Sequence, residues 1–501
     1  MSILKSIFFV RQELLFAQSS NFGTFGFLHA KRKKMVQSYF KLLSVVLLLL
    51  FNVIMLKAND AICSGIPWFD DSHKTVSAHG ACIVQDGGRF YLFGECKGDS
   101  SNAFVGFNCY SSTDLSQWKF ERQVLPVQAG GQLGPNRVGE RVKVMKCPKT
   151  GEFVMIMHTD NLGYNDPCIG YATSPIINGE YTYQGALLFN GKPIKKWDMG
   201  VFQDTDGSGY LLIHHGNIFK LSDDYKSITE QVIKEMGGGE SPTVFKKDGI
   251  YFWLTSNLTS WERNDNDYFT ATSLAGPWTK RGIFAPKGTL TWNSQTTYVL
   301  PVCGTKDTTY LFMGDRWSFP CQNAAATYVW LPMVVKDSTL SMPKYLDGWE
   351  INTSTGVWKP SGVQMNVNAD VKKIQYKGKW AQVNVSDSQT VYQSDTKGAS
   401  FSVSFKGGRI GFYALAGPKC GYARVVVTDK KGKLVLNSLV DLYCKYAETS
   451  LKFISPILPS GKYNMTVTVQ GMHPVWSDKK KTIFGSTGDF VCLDRVVVSN
   501  P

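Results

Sequence analysis

Helical periodicity is almost missing from this 501-residue chain once residue 60 is passed. That lack argues against helix bundles and α/β folds, whose helices need an apolar stripe recurring every three to four residues. Metal-type cysteine spacing is missing too. All eleven cysteines lie beyond residue 60, their number is odd, and none forms a CxxC pair. Stretches such as "HGACIV" and "GFNCYSS" read as buried thiols used as small apolar side chains. Cys303 with Cys321, or Cys420 with Cys444, are the candidate pairs. Long basic runs are absent apart from "SDKKKT". Residues 1–58 hold eight of the 54 Lys/Arg and one of the 40 acids, which leaves +7 of the total +14 for the remainder. A surplus spread that thinly gives no support for nucleic acid and fits an acidic surrounding.

What is present divides in two. Residues 1–58 have the layout of a secretory leader. Lys31, Arg32, Lys33, Lys34 and Lys41 precede an apolar run from Leu42 to Phe51, and Ala58 and Ala61 follow. Met35 makes a better start than Met1, since such a leader needs none of the preceding residues. The run is short for a membrane span, and Asp60 in "DAIC" argues against lipid attachment at Cys63. The remainder is expected outside the cytoplasm of a bacterium, in the periplasm, at the cell surface or beyond. It is 43% hydrophobic and 19% charged over the whole chain, with 47 glycines, a globular composition rich in turns. Its length calls for two or three units.

Past residue 60 a triplet recurs: a strand, a tight glycine turn with an aromatic-rich second strand, and a third strand. The turns are "QDGGRF", "PKTGEF", "TDGSGY", "KKDGIY" and "CGTKDTTY". The strands after them are "FYLFGE", "FVMIMH", "YLLIHH", "YFWLTS" and "YLFMGD". Five units spaced by roughly 40–65 residues have the size of propeller blades. The expectation is an all-β chain, a five-bladed β-propeller followed by a β-sandwich.

About nine residues before each turn glycine stands a polar residue ahead of an apolar strand: His79, Glu140, Asp198, Glu240 and Gln295. In a propeller the first strand of each blade lines the axis, so these five converge on one funnel. Three carboxyls, an amide and an imidazole there suit glycosidic cleavage. One carboxyl holds a proton because a neighbouring carboxylate raises its pKa, and a second group handles water. Trp197, Trp292, Trp317 and Tyr164 are rim candidates for stacking on sugar faces, each with a core alternative. Arg141 and Arg316 either hold carboxylates and hydroxyls or pair between blades.

The stretches "AHGACIV", "FGE", "GERVKVM", "KWDMGVFQDTDGSGY", "GESPTVF", "SNLTSWERND", "NSQTTYV" and "GDRW" resemble glycoside hydrolase family 43 in its exo-β-1,3-galactanase branch. The resemblance runs over residues ~64–358, and its motifs are specific in combination rather than singly. It implies a five-bladed propeller that inverts the anomeric centre, with Glu240 as general acid and Asp198 as the carboxylate that tunes and orients it. The base aspartate of most of the family has no counterpart in "SAHGACIV". For the branch, Gln295 as an imidic acid, or Glu140, takes that place; an amide is a poor base by ordinary pKa reasoning. Asp70 and Asp71 are the displaced alternative. Glu95 and Tyr164 resemble sugar-binding positions, and His79, Trp197, Trp292 and Arg316 complete the candidate substrate contacts.

The expected domains are a leader at 1–58, the propeller at 59–358, a linker at 359–370 and a sandwich at 371–501 resembling modules appended to carbohydrate enzymes. In the sandwich Trp380 and Trp476 are candidate sugar platforms. The implied substrate is a plant-type galactan or arabinogalactan oligosaccharide, with no protein or nucleic-acid partner. No cofactor or metal ligand is implied, and calcium in the channel is left open. Two other readings stand beside it: an α-L-arabinofuranosidase on the same propeller, and a non-catalytic sugar-binding propeller. A lectin has no reason to keep the Glu240–Asp198 pair.

Overall fold

The computed structural model describes residues 61–361 and 374–499. The expected leader and most of the expected linker lie outside them. Among the described residues no helix is long and apolar enough to cross a membrane.

Five sheets, antiparallel apart from one short edge pair in the third, follow one another along the chain. Blade one is β1 (His79–Asp86), β2 (Arg89–Cys96), β3 (Gly106–Ser112) and β4 (Lys119–Pro126). Blade two is β5 (Arg137–Lys146), β6 (Phe153–Asn161), β7 (Cys168–Ser174) and β8 (Thr182–Ala186). The short β9 (Leu188–Phe189) and β10 (Lys192–Pro193) edge blade three. Its main strands are β11 (Met199–Gln203), β12 (Gly209–Ile213), β13 (Asn217–Leu221) and β14 (Ile228–Ile233). Blade four is β15 (Glu240–Lys247), β16 (Ile250–Ser256), β17 (Asp267–Ala271) and β18 (Thr279–Ile283). Blade five has three strands, β19 (Gln295–Cys303), β20 (Thr308–Arg316) and β21 (Thr327–Pro332). The five-bladed expectation holds.

The tight turns are where the repeat predicts them. Asp248 and Gly249, at φ 49° and 78°, form the two-residue loop between β15 and β16, with the positive φ values that match strand twist. The first strands touch one another in a closed cycle, β1 to β5 to β11 to β15 to β19 and back to β1. Apolar side chains fill the gaps between blades; Ile83 and Leu92 of blade one pack with Leu311 and Trp330 of blade five. Residues 62–65 close the ring. Gly65 donates to the carbonyl of Tyr328 (2.6 Å), Ser64 Oγ to that of Trp330 (2.7 Å), and Ile62 bridges Trp349.

Beyond residue 374 the chain forms a second all-β body around Phe401, Phe412, Phe453, Val425 and Met465. Its seventeen-residue strand Ser400–Ala416 serves two sheets. The first half pairs with Leu458–Val469, and the second with Val491–Ser499 and Glu448–Ile454. Strands Tyr422–Asp429 and Leu434–Asp441 extend one of these sheets. Neither candidate pair forms a disulfide; Cys303 is exposed while Cys321 is buried.

Candidate active site

The first strand begins with its polar residue in blades one, four and five, directly after it in blade three, and three residues before it in blade two. In blades one, two and four the next residue is in the left-handed region: Gly80 at φ 57°, Arg141 at 57° and Ser241 at 57°. The pairing register slips there, between His79 and Cys82, Glu140 and Lys143, and Glu240 and Thr243. A β-bulge re-aims a side chain at the end of a strand. Arg141 and Ser241 take that conformation without being glycine, which costs each about 1–3 kcal/mol and is characteristic of functional sites. Glycine is required at position 80, because a Cβ would stand 2.1 Å from Glu95 Oε1.

The same register supplies a second ring. His79 pairs with Glu95, Glu140 with His158, Glu240 with Ser256 and Gln295 with Asp315, while His214 donates its N–H to the carbonyl of Asp198. Every second strand therefore ends polar opposite a polar start.

Blades three, four and five meet around Glu240. Gln295 Nε2 donates to Glu240 Oε1 (2.9 Å) and to Ser256 Oγ (2.9 Å). Gln295 Oε1 accepts from Arg141 Nη2 (2.6 Å) and Trp317 Nε1 (2.7 Å). All the amide's donors and lone pairs are used. Asp198 Oδ2 accepts from Ser241 N and Oγ, both at 3.0 Å, and lies 3.4 Å from Arg141 Nη2. Burial first, then the charge of Asp198, pushes the Glu240 carboxyl well above the ordinary carboxylate range. Arg141 and Gln295 pull the other way and do not prevail.

Around Glu140 the balance reverses. Burial opposes its ionisation, but Lys97, His158 and Tyr164 outweigh burial and hold the carboxyl far below its usual value. Lys97 Nζ reaches Glu140 Oε1 (3.2 Å) and also pairs with Glu95. Tyr164 donates its hydroxyl to Glu140 Oε1 (2.8 Å). His158 stands 3.5 Å from Glu140 and 3.3 Å from Asp160. Burial would lower its pKa, yet those carboxylates raise it to about 9, so it is a cation at neutral pH.

Four of the candidate substrate contacts do not line an open funnel. His79 is fully buried, stacked on Tyr328 at 4.7 Å with Nδ1 facing Asp315 (3.2 Å). Glu95 is 1% exposed and spends its oxygens on the Arg141 N–H and Lys97. Arg316 clamps the carbonyls of Asn293 (3.0 Å) and Trp292 (3.1 Å). Trp292 donates its indole N–H to Met342 and packs on Tyr345. Trp292 and Asn293 belong to an unusual turn, Leu290–Asn293, whose four residues all have φ between 53° and 57°. Tyr164 and Trp197 remain, the latter 40% exposed beside Asp198.

Asp70 caps its own turn by accepting from Ser72 and Lys74, and Asp71 is exposed, so neither is a displaced base. Trp476 is buried against Phe484, and Trp380 is half-buried against Tyr376. Lys97, His158, Asp160, Asp315 and Ser256 escaped the sequence reading. Lys97 stands two residues after Glu95 and Asp160 two after His158, the spacing of one strand face.

Among the described residues no cluster of three or more His, Cys, Asp or Glu is placed to hold a metal. The buried Lys143 ammonium bonds the carbonyls of Gly80 (2.6 Å), Arg141 and Val142. Arg141 Nη1 is buried with no hydrogen-bond partner, a donor free for a ligand oxygen.

The family model for glycosyl hydrolases family 43 matches residues 75–295. The structure is similar to that of an exo-β-1,3-galactanase from Phanerochaete chrysosporium, a glutamate-to-glutamine variant with β-1,3-galactotriose. There the TM-score is 0.66 at 27% identity, covering 88% of this chain and 100% of that one. A candidate exo-β-1,3-galactanase from Bifidobacterium bifidum s17 is 37% identical over 56% of this chain and 95% of its own, with a TM-score of 0.52. An exo-β-1,3-galactanase from Clostridium thermocellum is 25% identical over 80% of this chain and 100% of its own, with a TM-score of 0.56. No curated protein sequence matches.

Proposed function

Since this chain belongs to glycosyl hydrolase family 43, we propose that it is an exported enzyme that removes β-1,3-linked galactose from galactan or arabinogalactan with inversion at the anomeric carbon. The observation that carries this reading is the contrast between Glu240, packed beside Asp198 and pushed well above the ordinary carboxylate range by burial and that charge, and Glu140, held far below it by Lys97, His158 and Tyr164. A carboxyl that keeps its proton at neutral pH can deliver it to the leaving oxygen. Asp198, fixed by Ser241 and Arg141, supplies the charge that keeps Glu240 loaded.

Ionised Glu140 and the free Arg141 Nη1 are the acceptor and donor for sugar hydroxyls, and Trp197 is the exposed stacking face at the rim. Inversion needs water on the sugar face opposite the acid, with about 6.5–9.5 Å between the two groups. Gln295 Nε2 stands 2.9 Å from Glu240 Oε1, so a galactosyl unit seated between them would have to part the pair before the amide could hold the water. Two donors on Gln295 Oε1 disfavour an imidic hydroxyl there, and three partners make Glu140 a weak proton acceptor. Comparing Gln295→Ala with Glu140→Gln decides which of the two takes the proton. No cofactor is assigned a role.

The test is product analysis on galactan stripped of its branches, with β-1,3-galactobiose and an arabinofuranoside chromogenic substrate in parallel and the anomer followed by proton NMR. Galactose released first as the α-anomer is expected. Release of arabinose alone, a β-anomer, or binding without turnover would each overturn the proposal.

A further inference from the structure

The side chain assigned to the water is held through a chain of contacts that begins in the C-terminal sandwich. Trp317, which donates its indole N–H to Gln295, directly follows the last residue of β20, so no sheet bond fixes it. Its ring packs among His79 (5.7 Å), Trp261 (5.2 Å) and Arg141 (5.5 Å) and is 2% exposed. Its backbone is gripped from two sides. Arg263 Nη1 donates to the Trp317 carbonyl (3.1 Å), and Arg263 Nε donates to Asn293 Oδ1 (2.8 Å).

Ser318, the next residue, donates its hydroxyl to Asp441 Oδ2 (2.9 Å), and its carbonyl accepts from the Tyr422 hydroxyl (3.1 Å). Arg263 lies 5.2 Å from the Tyr443 ring. Its neighbour Glu262 accepts from the Tyr443 hydroxyl (2.6 Å) and from the Arg263 N–H (3.0 Å). Glu262, Arg263, Ser318, Tyr422 and Tyr443 are all buried, so each of these polar groups has lost water and depends on its partner. Cys321 and Ala325 seal the contact against Tyr422 and Leu439.

We infer that Tyr443 and Asp441 of the sandwich are positioning residues for the reaction: they fix Trp317, and through its indole the orientation of Gln295. The sandwich is then a structural part of the active site rather than an appended module. The inference rests on the reading of Gln295 as the group that handles water. An error of about 1 Å in placing such a group costs on the order of a hundredfold in rate.

The experiment is a double-mutant cycle on β-1,3-galactobiose with Trp317→Phe and Tyr443→Phe, with Asp441→Asn as a second entry point. Tyr443→Phe is expected to lower kcat about tenfold with KM changed less than twofold, and Trp317→Phe about a hundredfold. The double variant should match Trp317→Phe alone within about twofold, because the Tyr443 effect passes through that indole. Asp347→Ala, which removes a different contact to the sandwich at Leu451 N (3.3 Å), should lower Tm and leave kcat unchanged.

Multiplicative losses in the double variant, or an unaffected kcat in both Tyr443→Phe and Asp441→Asn, would overturn the inference. A crystal structure of Tyr443→Phe reads it without catalysis. The Trp317 indole should leave hydrogen-bond distance of Gln295, and an unmoved 2.7 Å contact would overturn it. A wild-type enzyme silent on galactobiose would instead sink the proposed substrate, and the crystallographic arm would still decide this point.

Discussion

Blade two and blade four present a glutamate at the same place, at a first-strand bulge followed by a left-handed residue, and the two titrate in opposite directions. Across the register from Glu140 stands His158, protonated and backed by Asp160, with Lys97 and Tyr164 closing the shell. Across from Glu240 stands Ser256, and its charged neighbours are the Asp198 carboxylate and an Arg141 already shared with Gln295. Equivalent backbone positions thus hold one glutamate far below the ordinary carboxylate range and the other well above it. The difference comes from the partners that the second strands and adjacent blades supply.

The strongest blow to this contrast is Glu240→Gln. It should lower kcat on β-1,3-galactobiose by about 10³–10⁴-fold while galactose binding, read by calorimetry, changes little. Hydrolysis at a comparable rate would remove Glu240 from the acid role. Next is the pair Gln295→Ala and Glu140→Gln. Gln295→Ala should cost kcat about 10²–10³-fold, whereas Glu140→Gln should act mainly on KM, by about tenfold. The reverse pattern would move the proton acceptor to Glu140.

A subtler probe is the basic limb of the kcat/KM profile, where Glu240 gives up its proton. Asp198→Asn removes the neighbouring negative charge that raises Glu240, so the limb should move to lower pH; an unmoved limb would contradict the pairing.

Smallest is a stability effect at His158. Its pKa rises from 6.5 to about 9 in the fold, so its contribution is complete below about pH 6.5 and is lost as pH climbs through about 9. Denaturant melts of His158→Gln should show a flatter pH dependence across that window than wild type.

The five-unit repeat and its leading residues His79, Glu140, Asp198, Glu240 and Gln295 were readable because turn chemistry and strand alternation are local. The leading residues recur about nine residues before each turn glycine. The second ring was equally present at the ends of "FYLFGE", "FVMIMH", "YFWLTS" and "YLFMGD", but finding it needs the pairing register, which puts Glu140 opposite His158. Arg316 misled because it adjoins Asp315; successive strand residues face opposite sides, so Asp315 turns to His79 and Arg316 to the Leu290–Asn293 turn.

By itself, then, the sequence determined the strand pattern, the blade count and which polar groups stand at the blade starts. Only the tertiary structure decided which of those groups are reachable, which carboxyl is pushed above its ordinary range and which below, and that the residues beside Trp317 bond to the sandwich. Ionisation and accessibility depend on burial and on charges a few ångströms away, and residues as far apart in the chain as Glu262 and Tyr443 meet only once the two bodies have packed.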